Sequence, residues 1–241
     1  RVYRIVSRYI RDPQLRMTMR FHPLLFGGNR FSVTNVYTLI SYLEQRWDVW
    51  AAMGGTGSIV KGMAGLIEGQ GGKIECNAEV EEILVENGNA KGVRLRDGRV
   101  LHSDLVVSNA DAAWTYRHLI DARHRKRWTD RKIERSHYSN GLFVWYFGTK
   151  GQYEDVPHHS VILGPRYRGL LDDIFKRKVL ADDFSLYLHR PTETDPSMAP
   201  EGCDAFYALA PVPHLDADVD WTEYAETFRQ RICQRLEDTM L

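Results

Sequence analysis

Residues 53–111 constrain this 241-residue chain more than any other stretch, because glycine turns alternate there with two different apolar periodicities. Gly54-Gly55-Thr56-Gly57 reads as a turn. Thr56 or Ser58 suits the N-cap of a helix, since a hydroxyl accepts one of the orphan N–H groups that open one. Ile59, Val60, Met63, Leu66 and Ile67 recur at helical spacing and give that helix one apolar face. Gly71-Gly72 stops it. Residues 73–76 and 80–85 read as strands, Asn87-Gly88-Asn89 as a hairpin turn, and 90–95 as the returning strand. Asp97-Gly98 turns again before a short strand over 99–102 and an apolar one at Leu105-Val106-Val107. Asn109-Ala110-Asp111 is placed to cap a further helix. A helix, a meander and a short buried strand suit many α/β or α+β domains.

Upstream, Val2, Ile5, Val6, Tyr9 and Ile10 make a helical stripe. Asp12-Pro13 breaks it, with Pro13 suited to the first turn of a second helix and Asp12 to its cap. Leu15, Met17 and Met19 lead into the apolar patch Phe21-His22-Pro23-Leu24-Leu25-Phe26 and the loop Gly27-Gly28-Asn29. Val36, Leu39, Ile40 and Leu43 form another helical stripe ending near Trp47. These apolar faces pack on a core, or part of them lines an apolar channel.

Downstream, residues 112–120 read as a helix, and Arg123, His124, Arg125, Lys126, Arg127, Arg131, Lys132 and Arg135 make the next segment basic. A solvated helix face explains it best. Attraction to anionic lipid, at about 1 kcal/mol per basic residue near the surface, is the other reading. Stacking aromatics are not interleaved as in single-strand nucleic-acid binders. The near-continuous apolar run Leu142-Phe143-Val144-Trp145-Tyr146-Phe147 predicts a strand buried on both faces or bordering an apolar cavity. His158 and His159 are adjacent, and neighbours on a strand point to opposite faces, so they read as structural and no metal set is assigned. A short helix over 170–175, strands over 184–189 and 205–210, and a terminator at Pro211-Val212-Pro213 follow. Trp221, Tyr224, Phe228, Ile232 and Leu236 then mark one face of a long helix.

The whole string GGTGSIVKGMAGLIEGQGGKIECNAEVEEILVENGNAKGVRLRDGRVLHSDLVVSNAD narrows this further. It resembles the second FAD-domain segment of the flavin-dependent carotenoid desaturases, the bacterial phytoene desaturases, within the amine-oxidase-like flavoproteins. GLFVWYFG, HHSVILGPRYRGLLDDIF, DFSLYLHRPTETDPSMAPEGCDAFYALAPVPHL and FHPLLFGGNRF are similar to that family too, so the resemblance covers essentially the whole chain. It implies an α+β fold in which part of a Rossmann-like FAD-binding domain, residues 51–111, is inserted in a substrate domain of mixed sheet and helices. Residues 1–50 would be its helical, membrane-facing part, and 112–241 the remainder.

The same resemblance implies site residues. Val80, in AEVEEI, matches the strand position whose backbone meets the adenine, and the Gly54-Gly55 turn matches the loop close to the flavin. Asp12 and Arg16, in IRDPQLR, match a segment near the substrate cavity. Read bottom-up, an Asp-Arg pair four apart on a helix is a surface salt bridge worth little. Ala51-Ala52-Met53 departs from the aromatic, proline and basic residue usual before the turn. The glycines do not follow a strand with the GxGxxG spacing that cradles a pyrophosphate, and no second glycine-rich flavin segment follows. The chain therefore resembles the central portion of such an enzyme, inactive and without flavin on its own. Its opening at Arg1, inside an amphipathic helix and without Met, reads as processing, engineering or a fragment.

The implied activity is FAD-dependent desaturation of phytoene towards neurosporene or lycopene, with hydride passing to the flavin and a quinone or oxygen reoxidising it. A C40 carotenoid has no polar handle, so it needs an apolar tunnel, and the enzyme would sit peripherally on a membrane from the cytoplasm. A carotenoid isomerase or ketolase-like oxidase, and a non-catalytic module binding an apolar ligand or a membrane, are the competing readings. Bulk properties agree with either class. Lys+Arg and Asp+Glu balance at 32 each, which provides no field for nucleic acid. Three scattered cysteines, Cys76, Cys203 and Cys233, fit a reducing compartment. No apolar run approaches the roughly 20 residues of a membrane span, and no signal-peptide pattern opens the chain.

Overall fold

A computed structural model describes residues 2–18, 36 and 38–241; Met19, the patch 21–26 and the loop 27–29 lie outside them. Helices α1 (Val2–Tyr9), α2 (Pro13–Thr18), α3 (Thr38–Trp47) and α4 (Thr56–Gly69) come first. Pro13 opens α2 as expected, and the Asp12 carboxylate accepts the Leu15 N–H at 2.8 Å as its cap. The chain divides into two compact units, Arg1–Gly62 with Tyr138–Leu241, and Met63–His137.

The smaller unit is built on the antiparallel meander β1 (Val80–Glu86), β2 (Asn89–Leu95) and β3 (Val100–His102). Asn87 and Gly88, at φ +50° and +80°, make the tight turn that pairs Glu86 with Asn89. Residues 112–119 are helical in two pieces, and Ile120 is extended. Helix α5 (Ala112–Trp114) is capped by the Asp111 carboxylate and runs into a π-helical turn, Thr115–Leu119. Helix α6 (Asp130–Glu134) is capped by Thr129 and buries Ile133.

Two strand expectations fail here. Residues 73–76 and 105–107 are not in strands, and Leu105 and Val107 are exposed. An extended apolar segment becomes a strand only when another backbone pairs with it, and the meander supplies β1 to β3 alone among the described residues.

The larger unit holds an antiparallel sheet ordered β4-β7-β6-β5. Its elements are β4 (Gly141–Thr149), β5 (His159–Ile162), α7 (Tyr167–Asp172) with a π-helical continuation Asp173–Arg177, β6 (Leu186–His189), β7 (Asp204–Val212) and α8 (Trp221–Glu237). One sheet face carries Leu186, Leu188, Phe206, Ala208 and Ala210, and α8 lays Phe228, Ile232 and Leu236 on it. The alanines leave room for the helix, and Phe143, Trp145 and Phe147 close one side of this core.

The other face is open, so of the two readings of β4, burial on both faces or a border on an apolar cavity, the first is overturned. Leu142, Val144 and Tyr146 alternate outward, with Tyr146 74% exposed. Strand β7 also runs through Pro211 to Val212, past the expected stop. The architecture is α+β. No helix of the described residues is long and apolar enough to cross a membrane.

Candidate functional site

The open sheet face gathers aromatic, aliphatic and imidazole side chains into two cross-strand rows. Register places His159 opposite His189, His189 opposite Tyr207, and Tyr207 opposite Tyr146. The second row runs Val161, Tyr187, Leu209, Val144. Rings contact along and between the rows. Tyr146 and Tyr207 centroids lie 5.4 Å apart, Tyr187 and Tyr207 5.8 Å, and His189 and Tyr207 4.6 Å. Burial and the neighbouring Tyr207 push the Tyr187 phenol well above its ordinary pKa, so it stays protonated. The face is flat, largely apolar, and edged by neutral hydrogen-bonding groups.

The histidines overturn the reading of His158 and His159 as a pair facing opposite ways. Only His159 lies in β5; His158 sits on the bend before it, so strand alternation does not separate the two rings. Their centroids are 4.3 Å apart, and His189, directly across the ladder, is 4.7 Å from His158. Burial, with His158 and His159 alongside, holds His189 down to about 4, so its ring is neutral. Sequence reasoning missed His189 because a single histidine in DFSLYLHRPT carries no spacing signal.

Just past β6 lies a buried polar clip. Arg190 donates to Asp204 from Nε at 3.0 Å and to the Val156 carbonyl at 2.8 Å, and its own N–H donates to the His158 carbonyl at 2.9 Å. Asp204 also accepts from the Thr192 hydroxyl at 2.5 Å and the Tyr153 N–H at 2.8 Å. Burial pushes the Asp204 carboxyl up, but Thr192, Tyr153 and Arg190 outweigh it, so it lies below the usual carboxylate range.

The clip continues into Asp195, which receives the Gly54 N–H at 2.5 Å and the Ser197 hydroxyl at 2.6 Å. The glycine turn expected near the flavin is thus tied to the loop that follows β6. Gly54 and Gly55 sit at φ +77° and +73°, and a Cβ on either would crowd Ser58 or Met198. The Gly55 N–H already donates to the Ala52 carbonyl at 2.9 Å. Both amides are therefore engaged, and what the turn leaves is room for close approach.

The other sequence candidates lie elsewhere. Val80 starts β1, an edge strand of the meander, beside a register irregularity between Val80 and Glu82. A ligand can reach backbone groups on that edge. Asp12 caps α2, while Arg16 donates to the Ile10 carbonyl at 2.6 Å and the Ser7 carbonyl at 3.5 Å, fixing the α1–α2 corner. In the basic segment Arg125 pairs with Asp130 at 2.7 Å, Arg123 with Asp121 at 3.3 Å, and Lys132 lies 4.2 Å over the Trp128 ring. Local pairing thus engages part of it.

Comparison with known proteins places this geometry in context. The Flavin containing amine oxidoreductase family matches residues 3–202. Phytoene desaturase (neurosporene-forming) of Cereibacter sphaeroides is 51% identical over 244 residues, covering 99% of this chain and 47% of that protein. Phytoene desaturase (lycopene-forming) of Pseudescherichia vulneris is 49% identical, covering 98% and 48%. The chain spans about half the length of the curated relatives it matches. The crystal structure of an oxidoreductase from Methanosarcina mazei aligns with 99% of this chain and 52% of its own at a TM-score of 0.69 and 20% identity, a likeness of fold.

Proposed function

The chain belongs to the flavin containing amine oxidoreductase family, and on that premise we propose that it is the central portion of an FAD-dependent desaturase acting on phytoene or a closely related C40 carotenoid. The observation that carries this reading is the open face of the four-stranded sheet, on which Val144, Tyr146 and Val161 stand exposed, together with the bond from the Gly54 N–H to Asp195 in the loop after β6. Phytoene desaturases are among the relatives matched along nearly the whole chain. Val144, Tyr146, Val161, Tyr187, Tyr207 and Leu209 make one wall of the substrate channel, holding a hydrocarbon by area and shape alone.

FAD, when bound, supplies the hydride acceptor. This chain's part is to bind and orient. The edge of β1 at Val80 meets the adenine through backbone groups, and Gly54-Gly55 lets the chain pass close to the flavin. Asp12 and Arg16 shape the channel by holding the α1–α2 corner. A quinone or oxygen reoxidises the flavin.

The enzyme works from the cytoplasm as a peripheral membrane protein. Leu39, Tyr42 and Trp47 on α3, with Val49 and Trp50 just beyond, are all exposed, and Trp50 is 85% so. Such a mixture of Trp, Tyr and Leu suits the headgroup boundary of a bilayer.

The test is product analysis. The whole protein containing this chain, supplied with phytoene, FAD and a quinone, is expected to yield neurosporene or lycopene by chromatography and absorbance. A Tyr207→Glu/Leu209→Glu variant of the same protein should lose conversion while keeping its flavin spectrum. Absence of any phytoene-derived product from the flavin-loaded protein would sink the proposal.

A further inference from the structure

The geometry points to a site for a divalent transition-metal cation of the zinc class at His158, His159 and His189, on the His end of the open sheet face. It goes beyond the flavin reading and does not depend on it. One ring nitrogen from each histidine lies within 4.8 Å of those of the other two. The His158 and His189 Nε2 atoms are 2.7 Å apart. Three imidazoles at about 2.0–2.1 Å from a tetrahedral zinc would sit roughly 3.4 Å from one another. Opening the close pair and drawing in His159 therefore needs rotations of side chains, not movement of strands.

The shell around the ligands is already in place. A metal-binding histidine commonly donates its second N–H to an oxygen, which fixes tautomer and ring orientation. Here His158 Nδ1 faces the Thr194 hydroxyl at 2.5 Å, and His159 Nδ1 faces the Tyr187 hydroxyl at 2.6 Å. With those protons on Nδ1, both Nε2 atoms present lone pairs. His189 completes the set from the adjacent strand, in register opposite His159.

A plain hydrogen-bonded cluster is the competing account, and it leaves a residue of unmet demand. The bond between the two Nε2 atoms leaves His189 Nδ1 buried and without a partner, whereas a ring flip that turns Nδ1 to the ion makes that atom a ligand. A buried polar atom in that state costs free energy and calls for an explanation. Backbone support is rigid as well: the Arg190 N–H holds the His158 carbonyl, and Arg190 is itself clamped by Asp204. His159 and His189 sit on strands, which hold ligand geometry better than loops do. Imidazole donors select zinc, copper, nickel or iron over magnesium or calcium. His159 is exposed, so water can occupy the fourth position.

Metal-stripped protein titrated with zinc chloride in a calorimeter, and with cobalt(II) followed by visible absorption, tests the site. One equivalent per chain is expected, with the intense cobalt bands of a tetrahedral site. His159→Gln, at an exposed ring, and His189→Gln should each abolish that equivalent. Tyr187→Phe should keep the stoichiometry and weaken binding by about 10–100-fold. His118→Gln, on a different unit, should change nothing. No saturable binding, or one equivalent retained in both His159→Gln and His189→Gln, overturns the assignment. Should His189→Gln fail to fold, His159→Gln alone decides, since its ring is not part of the core.

Discussion

Arg190 and Asp204 form the most demanding pair in the larger unit, both side chains being at most 5% exposed. Taking two charges out of water costs several kcal/mol each, and their attraction offsets this only with every remaining lone pair and proton satisfied. Thr192, Tyr153 and the Val156 carbonyl complete that set. Asp204→Ala removes the buried carboxylate from Arg190 and leaves it only the half-exposed Glu193, so urea unfolding should show a loss of about 3–5 kcal/mol. Glu193→Gln removes the half-exposed partner of the same arginine and should cost at most about 1 kcal/mol. The pH dependence follows from the depressed Asp204 pKa. A carboxyl of this kind stabilises the fold above its unfolded value near 3.8 and loses that contribution as pH falls through the lower folded value. The unfolding midpoint should therefore drop below about pH 4, and Asp204→Asn should flatten that drop. None of this clip was legible in the sequence, because Arg190, Thr192 and Asp204 share no helical or strand period.

At the scale of elements, legibility tracked how local the cause was. Helix α8 repeats apolar residues four apart, and the structure buries Phe228, Ile232 and Leu236 on that stripe. Asn87-Gly88 forces its turn through backbone angles alone. Residues 73–76 and 105–107 carry strand composition, yet pairing is a property of a second backbone that no local pattern encodes. The histidines show the same limit from the other side: alternation separates neighbours only within a strand, and His158 lies one residue before β5. Of the site candidates, Gly54 and Gly55 were recognisable by their turn, whereas the sheet face emerged only from the register of four strands. The α8 stripe supports a direct test. Phe228 meets Phe143, Phe184 and Trp221 at ring distances of 5.1, 5.0 and 6.1 Å. Phe228→Ala should cost about 3–5 kcal/mol in denaturant unfolding. Tyr224→Ala, on the same helix with Tyr224 half exposed, should stay within about 0.5 kcal/mol. Equal costs would mean that α8 does not pack on the sheet by this face.

The whole chain shows a mismatch between the apolar surface it carries and the surface it covers. None of the residues of α4 is buried, and Ile59, Val60, Met63 and Leu66 all stand exposed on it. Leu105, Val107, Trp114 and the face bearing Leu142 and Tyr146 add further apolar area. Soluble monomers seldom expose contiguous apolar patches beyond a few hundred Å², and larger ones mark surfaces that something else covers. The chain spans about half the length of the relatives it matches. The 241-residue chain alone should therefore bind the dye ANS strongly and retain no stoichiometric FAD through gel filtration. The longer protein containing it should bind little ANS and keep the flavin absorbance. Replacing Val60 and Leu66 with Lys separates the causes: dye binding by the short chain should fall, because those residues are the surface the dye reads. In the longer protein the same pair should lower flavin retention, because there they are expected to lie inside. Stoichiometric FAD on the 241-residue chain, with weak ANS binding, would mean that α4 and the sheet face are native exteriors, and the reading of this chain as one part of a larger flavin site would fall.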